Sequence, residues 1–210
     1  CQLKMVTSWN LVHMNPSGPY LGPLQTILLL LHKYMGYSTF TKLYNSCVCP
    51  VMEYAAGIWG NSDYDKLTAM QHMKARCFMG VHRFTLIAAN EGDFGWLNPR
   101  YKRWLCMLRL WNRLVVLPEN RITKHVFIND YYLAMSNFNN WCKQIWSIFN
   151  SVGEEDLFFT RSTCNILDIG EKLMKKQENE WKENVLRKPK LRLYKLFKES
   201  LVVENYVKFN

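Results

Sequence analysis

Apolar residues recur at helical spacing along most of the chain, which predicts an all-α, helix-dominated fold. The expected architecture is an irregular multi-helix bundle with long amphipathic helices. Leu67, Met70, Lys74, Cys77, Phe78 and Val81 mark one helix with Gly80 as its stop, and Arg76 falls away from that stripe. Ser62 with Asp65 three residues later predicts a capping box at its start. Asn98 as cap and Pro99 at the first helical position open a second helix, which Pro118 closes. To Leu117 it is about 28 Å long, and Lys102, Arg109 and Arg113 lie within about 40° of one another around it, with Cys106 in the same stripe. Trp104, Leu105, Leu108, Trp111 and Val115 point elsewhere, toward a core.

The remaining pattern is less regular. Residues 1–19 read as a loop or lead-in, and an apolar helix is expected over Leu21–Met35. Leu43, Tyr44, Val48, Val51 and Tyr54 trace a further segment with a break at Pro50, and Asn61-Ser62-Asp63 make a turn. Helices are expected over Arg121–Leu133 and Asn140–Phe149, with residues 150–163 acidic and turn-like. Asn165–Val185 is expected to bury Ile166, Ile169, Leu173, Gln177 and Trp181. After Lys188-Pro189, Leu191–Val203 resumes helical spacing with Arg192, Lys195 and Lys198 outward.

Composition fits a packed core. Hydrophobic residues make up 49% of the 210 positions and charged ones 21%, which excludes disorder as the main state. Most of the eight Trp belong to the core on this reading. The longest aliphatic run, Ile27–Leu31, is far short of the roughly 20 residues that span a bilayer, so no membrane partner is expected. Seven cysteines with one close pair, Cys47 and Cys49, read as reduced thiols of an intracellular protein, cytoplasmic or nuclear. Beginning at Cys1 and running to Asn210, the chain reads as a piece of a longer polypeptide.

Charge adds direction. The net charge of +10 concentrates in residues 98–125, net +6, and 171–210, net +5, with a net −3 stretch at 126–170 between them. A polyanion is the partner such a distribution suggests.

The chain carries no phosphate loop, zinc-protease or nucleophile-elbow motif, and no Asp-Asp dipeptide for two-metal transfer. Asp93-Phe94-Gly95 matches a kinase tripeptide by chance, since no His-Arg-Asp loop accompanies it. Glu91 and Asp93 are a possible carboxylate pair, but Gly92 and Gly95 suit a tight turn equally. A zinc set of Cys47, Cys49, Cys77 and His72 or His82 lacks paired knuckles. No catalytic residue, metal or cofactor is therefore assigned.

Several patches in order do carry a family resemblance. They begin with Phe40-Thr-Lys-Leu-Tyr-Asn-Ser-Cys-Val-Cys-Pro-Val-Met-Glu-Tyr54 and Gly57-Ile-Trp-Gly60. Gln71, Ala75-Arg76, Phe78, Met79-Gly-Val-His-Arg-Phe84 and Gly92-Asp-Phe-Gly-Trp96 follow. Arg109-Leu-Trp-Asn-Arg-Leu114, Arg121, Phe127, Asn140-Trp141, Lys188-Pro-Lys-Leu-Arg192, Tyr194 and Tyr206-Val207 complete them. Together, over about residues 36–210, they resemble jockey-like non-LTR retrotransposon reverse transcriptases, in the thumb and the helical region beyond it.

The resemblance implies a poorly matching lead-in at 1–35, a thumb-like domain at 36–118 and a post-thumb extension at 119–210. It implies an RNA-directed DNA polymerase polyprotein whose catalytic Asp pair lies in an upstream palm, so no activity is expected of this fragment alone. The implied partners are RNA and DNA, as template-primer duplex, and that palm. Phosphate contacts would fall on Lys102, Arg109 and Arg113, then Arg76, His82 and Arg83, then Lys190, Arg192 and Lys195. The alternatives are a helical protein-interaction module with no nucleic-acid role, and an enzyme with a zinc or carboxylate site of its own.

Overall fold

The structure, a computed structural model, describes residues 35–62 and 64–209. The lead-in and the helix expected from Leu21 lie outside them. The fold is all-α, with no strand among the described residues. Helix α1, Tyr37–Leu43, widens into a π turn, Tyr44–Val48, and ends in one α turn, Cys49–Met52. Then come α2 (Ala56–Trp59), α3 (Asp65–Met79), α4 (Ile87–Phe94), α5 (Pro99–Val115), α6 (Ile122–Met135) and α7 (Trp141–Val152). The chain continues with α8 (Glu155–Phe159), α9 (Ile166–Arg187), a 3-10 turn (Pro189–Leu191), α10 (Tyr194–Phe197) and α11 (Asn205–Lys208).

Two compact units interleave along the chain. Residues 35–54, 64–96 and 181–209 form the first, and residues 55–62 and 97–180 the second. The boundary expected at 118/119 falls inside the second unit, where Lys124 Nζ donates to the Leu114 and Val115 carbonyls and so ties α6 to the end of α5. These carbonyls are among the last of α5, where a cation also meets the negative end of the helix dipole.

The first unit packs aromatic rings from α1, α3 and α4. Phe40 lies 4.6 Å from Phe78 between ring centres, Tyr44 4.4 Å from Trp96, and Phe94 4.4 Å edge-on to Trp96. The break expected at Pro50 is the π turn before it. Proline lacks an N–H and crowds the carbonyl four residues back, and a widened turn relieves both. The expected capping box is absent: α3 begins at Asp65 with Tyr64 as its cap residue, which places Ser62 two residues too early. Gly80, at φ +63°, ends α3 in the left-handed conformation that glycine adopts without strain.

The tail of the first unit departs from the long helix expected over Leu191–Val203. It forms only the 3-10 turn and single-turn helices, and some of its polar groups bond to α4. Tyr194 Oη donates to Asp93 Oδ1 at 2.7 Å, and Glu204 N donates to Asp93 O at 3.0 Å. Lys198, expected outward, is buried and bonded to Glu204 and the Val202 carbonyl. Gly92 makes the contact possible, since a Cβ there would lie 2.3 Å from Tyr194 Oη and 2.7 Å from the Trp181 ring.

The second unit is built around Trp111 of α5, fully buried among Phe127, Phe149 and Phe158 at 5.3, 5.8 and 5.5 Å. The 150–163 stretch is therefore more than a turn: α8 delivers Phe158 to that core. Asn112 pins the segment after it, exchanging hydrogen bonds of 2.8 and 2.9 Å with the backbone of Cys164. Asn98, Asn140 and Asn165 each cap a helix with a side-chain oxygen, at Arg100 N, Lys143 N and Leu167 N. Helix α9 buries Ile169, Leu173 and Gln177 in this unit and, beyond the unit boundary, Trp181 and Val185. Gln177 is accommodated because its Oε1 accepts from Asn98 N at 2.8 Å.

Candidate nucleic-acid interface

Helix α5 buries Tyr101, Arg103, Trp104, Met107, Leu108 and Trp111, which span close to half of its circumference. A cation without a partner is costly in such surroundings; Arg103 is buried there with carbonyls to receive it. The arc that remains carries Lys102, Cys106, Arg109 and Arg113. Arg109 and Arg113 are exposed and Lys102 and Cys106 half-buried, with Arg109 Nη1 3.7 Å from Cys106 Sγ. From Lys102 to Arg113 the edge runs about 16 Å along the axis.

A face of α5 that adjoins this edge is clamped by residues 55–62, with Gly57 against Cys106 and Leu110. Gly60 lets that backbone touch the helix, since a Cβ there would be 2.9 Å from Arg103 O. Arg103 itself, 1% exposed, donates from Nε to Gly60 O at 3.3 Å and from Nη2 to Ser62 O at 3.2 Å. Its guanidinium carbon lies 5.7 Å from the Trp59 ring centre. The cationic edge thus stands on a helix held along an adjoining face.

The other six expected contacts lie in the first unit. Arg76 is half-buried and donates from Nη2 to Thr85 O at 2.8 Å, so part of its guanidinium serves the fold. His82 and Arg83 are exposed on the turn between α3 and α4. Lys190, Arg192 and Lys195 are exposed around the 3-10 turn and α10. Among the described residues the first unit holds thirteen basic and seven acidic side chains, net +6, and the second twelve and nine, net +3. The acidic 126–170 stretch folds with the basic 98–125 stretch, which leaves the larger excess in the first unit.

Charge pattern alone passed over cations stacked on rings. Arg100 lies 4.9 Å from the centre of Trp104, and Lys143 4.0 Å from Trp146. Their spacings, i to i+4 and i to i+3 on a helix, were the signal that finds them.

The carboxylates near the kinase-like tripeptide have separate partners. Asp93 anchors the tail, and Glu91 Oε1 lies 3.4 Å from His72 Nε2 in a cleft of about 430 Å³ between α3, α4 and the end of α9. No group of three His, Cys, Asp or Glu side chains suited to a metal occurs among the described residues. Cys47, Cys49, Cys77, Cys106, Cys142 and Cys164 are free thiols, and burial pushes the Cys142 and Cys164 thiols up. No described helix is long and apolar enough to cross a membrane.

Burial, with the Arg76 cation beside it, pushes His72 down to about 4, so its imidazole is neutral at pH 7. The unfolded chain takes up this proton near pH 6.5 and the folded one only near 4. Stability is therefore expected to fall as pH drops through that window, by about 3 kcal/mol, and the loss to be complete below pH 4. Urea midpoints at pH 7 and pH 4.5 test this: His72→Gln should flatten the difference, and an equally steep acid loss in that variant would refute it.

Compared with known family models, curated proteins and solved structures, the chain matches none.

Proposed function

We propose that the chain is a non-catalytic nucleic-acid-binding part of a retroelement reverse transcriptase, gripping template-primer duplex by its phosphates while an upstream palm performs the chemistry. The observation that carries this reading is the solvent edge of α5, with Lys102, Arg109 and Arg113 spaced along a helix clamped on an adjoining face. Such an edge suits a phosphate backbone, which is regular, highly charged and indifferent to sequence. The family resemblance supplies the duplex and the polymerase. Lys190, Arg192 and Lys195 add cationic contacts in the first unit.

Charge reversal of Lys102, Arg109 and Arg113 together is expected to weaken binding to an RNA–DNA hybrid by about tenfold or more. It should also flatten the salt dependence by about one unit of slope per lost contact. Affinity measured across a salt titration tests both. Unchanged affinity and slope would remove the groove from α5.

A second reading, a helical protein-interaction module, is favoured by one observation. Leu193, Leu196 and Phe197 are exposed among those same basic residues, Phe197 by 83%. Exposed apolar side chains beside cations suit an acidic, amphipathic protein partner. No measurable hybrid binding at low salt would favour this reading.

A further inference from the structure

The turn His82–Thr85 has chemistry that phosphate contact does not use. Phe84 is 74% exposed, although a phenyl ring is normally a core group. It does not stand on a slack loop. Val81 N donates to Arg76 O at 3.1 Å, and Thr85 closes the turn with N and Oγ1 both on His82 O, at 2.9 and 2.7 Å. His82 Nδ1 accepts from Phe84 N at 3.3 Å, and the Arg76 guanidinium holds Thr85 O from behind. The ring is thus presented by a pre-organised backbone. The Arg83 guanidinium carbon lies over one face of the ring, 4.7 Å from its centre, and the His82 ring is tilted 49° to it at 5.2 Å, so a base would take the other face.

An exposed aromatic ring beside an arginine and an imidazole is an arrangement that receives unpaired bases. The ring stacks on any base, and the guanidinium meets an adjoining phosphate. The local charge agrees: no acidic residue occurs between Asp65 and Glu91, and the unit as a whole is basic. We propose that the His82–Thr85 turn is a stacking platform for single-stranded nucleic acid, with Phe84 under the base, His82 beside the ring and Arg83 on an adjoining phosphate. Arg76 is its positioning residue. The proposal rests on the nucleic-acid reading above and deepens it by adding an unpaired strand to the duplex.

Fluorescence anisotropy with two ligands tests it: a blunt RNA–DNA hybrid, and the same hybrid carrying a single-stranded DNA extension. The unmodified protein should bind the extended hybrid about tenfold more tightly. Phe84→Ala should abolish that advantage and leave blunt-hybrid affinity and thermal stability unchanged, while Phe84→Trp should keep it. An advantage that survives in Phe84→Ala overturns the platform, as does equal binding of both ligands by the unmodified protein. Blunt-hybrid binding that persists in either case leaves the duplex reading standing. Phe84-dependent binding of the extension, with α5 charge reversal having no effect, supports the platform and removes the groove instead.

Discussion

Trp111→Ala is expected to destabilise the second unit by about 3–5 kcal/mol, the range for emptying a fully buried large aromatic site. Three aromatic neighbours, from α6, α7 and α8, meet the indole within 6 Å and cannot all move in to fill the space. The indole also donates from Nε1 to Ser162 O at 2.9 Å, so the variant strands a carbonyl as well as a cavity. Trp111→Phe separates the two losses, because it restores much of the packing without the donor, and should cost less than half as much. Urea denaturation of both variants checks the order. Equal costs would mean that the Ser162 bond, and not packing, dominates.

Arg103→Ala is expected to cost about 2–5 kcal/mol. Two carbonyls of the 55–62 segment accept from this guanidinium; leaving the buried Gly60 O unsatisfied costs about 1–3 kcal/mol, and the space left by the buried side chain adds to it. Arg103→Lys should recover little of that loss. A planar fork reaches Gly60 O and Ser62 O together while lying beside Trp59, and an ammonium offers no such geometry. Thermal denaturation of the two variants tests this, and a lysine variant as stable as the parent would show that charge alone suffices. A loosened clamp should also weaken hybrid binding, since the adjoining edge of the same helix carries Lys102, Arg109 and Arg113.

The legible parts of the sequence were those whose structure is set locally. Ile166, Ile169, Leu173, Gln177 and Trp181 repeat at helical period against charged neighbours; the structure buries the last four and leaves Ile166 half-buried. Asn98-Pro99, Gly80 and Pro118 act on the next few residues of backbone, so they mark helix ends within two residues. Of the described tryptophans, Trp59, Trp96, Trp104, Trp111 and Trp181 are core, as the composition implied.

What the sequence hid depends on partners far along the chain. Arg103 looks like any surface arginine until Gly60 and Ser62 arrive from forty residues upstream to accept its hydrogen bonds. Lys198 reads as outward by period, but Glu204 and the Val202 carbonyl make burial affordable. The tail was misread as one helix because its competitor, the Asp93 anchor, lies about a hundred positions away. For the candidate interface, the α5 edge was readable from angle alone. The Phe84 platform was not, because nothing in an isolated Phe announces that a turn will leave it uncovered.

The interleaving of the two units bears on inheritance as well as on folding. A premature stop anywhere before codon 181 removes Trp181, Val185, Leu191 and Leu201, the side chains on which Ala88 of the earlier segment packs. The lesion therefore reaches backward, into sequence already translated. A shortened copy of this coding region keeps the buried side chains of the second hydrophobic centre once it extends through Leu173, and those of the first only if it runs past Leu201.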